Sequence, residues 1–115
     1  MPKPSVPEKM LELSKLYFDR LEKNLRAERP EVTLYWATMI HSLFTLAQGM
    51  TADGQMHLEV LGELNTHNSR AMGVIRQLAP QELEGLGGVT DKRCMAYMLD
   101  AYEDFREEGE RIGVL

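Results

Sequence analysis

The chain has 115 residues, 43% hydrophobic and 27% charged, the balance of one globular domain able to bury a core without disulfides or metal. Its formal net charge of -5, from 13 Lys and Arg against 18 Asp and Glu, excludes the basic surface that direct nucleic-acid or anionic-membrane binding requires. A single cysteine, Cys94, permits no internal disulfide, and the opening MPKPSVPEKM lacks the apolar run of a secretion signal, so a cytoplasmic location is expected.

Pro2, Pro4 and Pro7 keep residues 1–6 extended. Ser5 to Glu8 reads as a capping box, with Ser5 as N-cap and Glu8 reaching back to it, and opens a helix expected to run to about Arg29. Leu11, Phe18, Leu21 and Leu25 fall on one stripe, broadened by Met10, Leu13 and Tyr17. The opposite face is charged, with Asp19–Lys23 and Glu22–Arg26 as i,i+4 pairs, and reads as solvated surface. Pro30 disfavours helical geometry at Arg29 and suits the first position of a second helix, so a tight corner joins the two.

The second helix, VTLYWATMIHSLFTLAQGM from Val32 to Met50, is the most apolar run and holds the only tryptophan, Trp36. Val32, Trp36, Met39, Leu43, Ala47 and Met50 make one stripe, widened by Tyr35, Ile40, Phe44 and Leu46. Thr38, His41, Ser42, Thr45 and Gln48 gather on the narrow remainder. A helix apolar round most of its circumference must be covered on several sides, by neighbouring helices or by a partner chain. It is too short and too often interrupted for a membrane span of about 20 apolar residues. It should end near Gly49, with Thr51 to Gly54 as a turn.

The third pattern places Leu61, Leu64, Ala71, Ile75 and Leu78 on one face, with Leu58, Met72 and Val74 beside it. Its middle, Asn65 to Arg70, is polar and built of weak helix formers, and Asn68 stands where the apolar stripe would continue. One helix with a weak waist is expected, the alternative being a break with Ser69 capping a second piece. Residues 79–90 form a Gly- and Pro-containing connector, and Thr90 and Asp91 supply the next cap. The last helix puts Met95, Met98, Leu99, Tyr102 and Phe105 on one face under an acidic outer face, with Gly109 and Gly113 fraying its end. The expected fold is all-α: one domain over 1–115, four main helices in a compact bundle.

Chemical signatures are weak. Glu59, Glu63 and His67 recur every four residues with His57 nearby, but no Glu-x-x-His motif or facing ligand pair completes a metal site. Gly85-Leu86-Gly87-Gly88 follows no strand and is not a dinucleotide fingerprint. His41 with Ser42, or His67 with Ser69, lacks an orienting carboxylate, and sequence neighbours on a helix do not face each other. Cys94 reads as a small core residue. No catalytic residue, cofactor or metal is expected.

What remains is apolar surface. Tyr35, Trp36, Met39, Phe44, Met95, Met98 and Tyr102 are candidates for a partner or homodimer interface; of the eight methionines, any single one reads as core filling before adaptable surface. In size, acidity and helical pattern, with VTLYWATMIHSLFTLAQGM as the helix suited to docking, the chain resembles the QslA-type anti-activators of LuxR-type quorum-sensing regulators. That resemblance implies a non-enzymatic protein that binds the ligand-binding domain of a transcription factor and blocks its dimerisation. The alternatives are a toxin-neutralising immunity protein and a small helical metal-binding enzyme.

Overall fold

Ser5 starts the first helix as its pattern requires. In the computed structural model, which describes residues 5–52, 58–78 and 92–113 without the side chains of 51–52, 92–96 and 112, Ser5 Oγ accepts the Glu8 backbone N–H at 3.3 Å. Helix α1 (Val6–Arg26) begins one residue inside the expected tail, with Pro7 in the first turn, where its missing N–H costs nothing. It stops three residues short of Arg29. The Glu28 N–H reaches the Leu25 carbonyl at 3.1 Å and the Arg29 N–H reaches that of Asn24 at 3.0 Å. This is the Schellman wrap, which needs a left-handed residue after the cap; here that residue is Glu28, at φ 56°.

Helix α2 (Pro30–Ala52) starts on Pro30 and carries through Gly49 to end later than its turn residues indicate. Helices α3 (Leu58–Leu78) and α4 (Lys92–Ile112) complete the all-α bundle, with no strand among the described residues. α1, α3 and α4 all pack on α2, and α1 also packs on α3. Leu34, Ile40 and Leu43 of α2 are fully buried with Met10 and Leu21 of α1 and Leu64 and Val74 of α3. The helix that demanded cover on several sides is thus enclosed by three helices of its own chain.

That enclosure corrects the faces drawn from periodicity. Thr38 and Ser42, placed on a polar strip, are buried, whereas Val32, Trp36 and Met50 of the expected stripe are only half-buried. The buried hydroxyls cost little because each bonds a carbonyl one turn back: Thr38 Oγ1 to Leu34 O at 2.9 Å, Ser42 Oγ to Thr38 O at 2.8 Å. On α1, Glu22 turns away from Arg26 and accepts from Arg70 Nε of α3 at 2.9 Å, so the charged face is partly an interhelical tie. The Asp19–Lys23 pair forms as expected, at 3.1 Å.

α3 is continuous through its polar waist. Leu58, grouped beside its apolar face, is 74% exposed. Among the described side chains of α4 the buried positions are Ala101, Phe105 and Gly109, so the face is rotated away from Leu99 and Tyr102 while keeping Phe105, and Leu99 faces solvent. Gly109 does not fray the helix, which runs to Ile112 before Gly113 turns out at φ 81°. Residues 79–90, the Thr90–Asp91 cap, His57 and the side chains of Cys94 and Met95 lie outside the described residues. No helix among the described residues is long and apolar enough to cross a membrane.

Candidate functional site

Two polar ties cross the waist of α3. Asn68, 8% exposed, pairs through Oδ1 with His41 Nδ1 of α2 at 3.1 Å. His67 Nδ1 pairs with Ser14 Oγ of α1 at 2.7 Å, its ring stacked on Phe18 at a centroid distance of 4.6 Å. Burial holds the His67 imidazole below its ordinary pKa, with Lys15 adding to that and Glu63 opposing it. A serine and a histidine at this distance have the spacing of a nucleophile and its base. Ser14 is 1% exposed, however, so no substrate reaches its oxygen, and the pair serves to align α1 with α3. The pairs adjacent in sequence do not form: Ser42 bonds its own helix and His41 bonds Asn68. Among the described residues no three His, Cys, Asp or Glu side chains converge on a metal position.

The seam between α2 and α4 carries the aromatic residues. Tyr35 and Trp36 meet edge to face at 5.0 Å, and Trp36 lies 5.7 Å from the Tyr17 ring. The Tyr35 hydroxyl donates to Asp104 of α4 at 2.5 Å, the short length of a phenol bonded to a carboxylate. Burial, the Asp104 bond and the Asp104 charge all raise the Tyr35 pKa, so the phenol remains a donor at neutral pH. On the other flank of α4, an open groove of about 380 Å³ is lined by His41, Thr45 and Leu46 of α2 and by Tyr102 and Phe105 of α4. Leu99 and Tyr102, three residues apart and so on one helical face, are 57% and 48% exposed.

The candidate interface residues therefore separate. Met39 is buried at 3% exposure and belongs to the core. Tyr35, Trp36, Phe44 and Met98 are half-buried against it, and only Tyr102 of the described set is exposed. Leu99, grouped by periodicity with the apolar face of the last helix, is exposed instead. Its signal is present in part: Asp100 and Glu103, which follow Leu99 and Tyr102 by one residue each, mark a helix edge near solvent. Asp104 as the partner of Tyr35, 69 residues away, had no sequence signal.

No family model, curated protein or solved structure matches this chain.

Proposed function

We propose that this protein is a non-enzymatic regulator that binds another protein through the α2–α4 groove and masks an apolar surface of it. The observation that supports this reading is the pair Leu99 and Tyr102, large apolar side chains left in solvent beside a groove floored by Leu46 and Phe105. A large aromatic such as Tyr102 is a common anchor of an interface centre, Leu99 adds apolar area beside it, and the acidic side chains along α4 steer approach of a basic partner. Following the resemblance, the first target is the ligand-binding domain of a LuxR-type quorum-sensing regulator, with dimerisation blocked by competition for its apolar surface. A second copy of this chain is the competing occupant of the same groove.

The test is sedimentation of the chain alone and mixed with such a domain. A mixed complex that depletes the regulator dimer, and that is weakened at least about tenfold by Leu99→Glu in a variant of unchanged helicity, supports the reading. A regulator dimer untouched at micromolar concentration removes that target. Binding indifferent to Leu99→Glu and Tyr102→Ala removes the groove.

A further inference from the structure

We propose that α4 is a strap that lifts from α2 as a unit and, in lifting, bares the ring cluster of Tyr17, Tyr35 and Trp36. The packing is unequal. α1, α2 and α3 pack pairwise on one another, whereas α4 rests chiefly on α2. Among the described side chains of α4, Ala101, Phe105 and Gly109 are buried and Met98 is half-buried on the core, so one broad interface, with α2, holds the helix.

Two tyrosine hydroxyls then act in opposite senses. The Tyr35–Asp104 hydrogen bond fastens the strap. The Tyr17 hydroxyl is the counterweight: it is buried, in a side chain 2% exposed, and makes no hydrogen bond among the described residues. The α4 groups whose charges bear on that hydroxyl, Glu108 and Arg111, are engaged with each other through two hydrogen bonds, at 2.5 and 3.2 Å. Water would satisfy the Tyr17 oxygen once α4 moved away, so closure of the strap carries a desolvation cost that opening releases. The groove beside Tyr102 takes walls from both α2 and α4, so an occupant of it would clamp the strap shut. That last link rests on the docking reading above; the opening itself does not.

Hydrogen exchange on the free chain tests it without any partner. Amides of α4 should exchange at least about tenfold faster than central amides of α2, as a cooperative group. Tyr17→Phe, which removes the unsatisfied hydroxyl, should slow α4 exchange by about tenfold, and Tyr35→Phe, which removes the fastening bond, should speed it by a similar factor. The proposal is overturned if α4 and α2 amides exchange together, if neither substitution moves α4, or if both move it in the same direction. Acrylamide quenching of the sole tryptophan, Trp36, gives an independent readout, expected to rise with Tyr35→Phe and fall with Tyr17→Phe.

Discussion

Glu28→Gly should stabilise this protein, although it deletes a whole side chain. Glu28 is the one non-glycine residue at positive φ among the described residues, and it occupies the left-handed position of the wrap that ends α1. An L-residue with a side chain is held there at a cost of about 1–2 kcal/mol, because its Cβ crowds the following carbonyl. Glycine removes that cost and returns about 0.5–1 kcal/mol of it as extra freedom in the unfolded chain. The side chain is exposed, so little packing is lost. The net gain is then about 0.5–1 kcal/mol, a rise of roughly 2–5 °C in Tm for a domain of this size. Urea unfolding followed by circular dichroism should show a higher midpoint at unchanged slope, with Glu28→Ala near neutral and Glu28→Val, stiffened at χ1, lower than wild type. A glycine variant no more stable than wild type would mean that the strain at Glu28 is offset locally, and the reasoning fails.

Two further outcomes follow from the waist of α3. His67 is held below its ordinary pKa of about 6.5 by burial against Phe18 and Ser14, so the unfolded chain takes up its proton first as pH falls. The contribution is complete above the unfolded value and is lost as pH drops through the lower folded one. The urea midpoint at about pH 5.5 should therefore lie below that at about pH 7.5, and His67→Gln should shrink the difference; an undiminished difference assigns the pH dependence to other groups. Asn68→Ala should cost about 1–3 kcal/mol by stranding His41 in the α2–α3 interface. His41→Ala combined with it should cost less than the sum of the two, since each single change already removes the shared bond; strict additivity would show that the bond contributes nothing.

Much of the architecture is legible in the sequence, and for a common reason. The Ser5 cap, the Pro30 corner and the four amphipathic stretches depend on groups within a turn or two of each other, where backbone geometry dictates which side chains meet. The polar run from Asn65 to Arg70 was the point of greatest ambiguity, and local propensity could not resolve it. The helix runs through because His41 and Ser14, from two other helices, supply Asn68 and His67 with the partners that make burial tolerable.

Pattern along the chain was enough for four helices, for the starts at Ser5 and Pro30 and the end at Leu78, and for Val32 to Met50 as the hub. That three helices of the same chain enclose this hub, burying Thr38, Ser42 and Met39 and leaving Leu99 and Tyr102 in solvent, comes from the packing of the helices on one another. A stripe of residues on a helix says which side chains point together, but exposure depends on how many neighbours surround them and at what angle. The reach of Tyr35 to Asp104, 69 residues away, belongs to the same class: it is settled by a contact between elements, and short-range pattern holds no record of it.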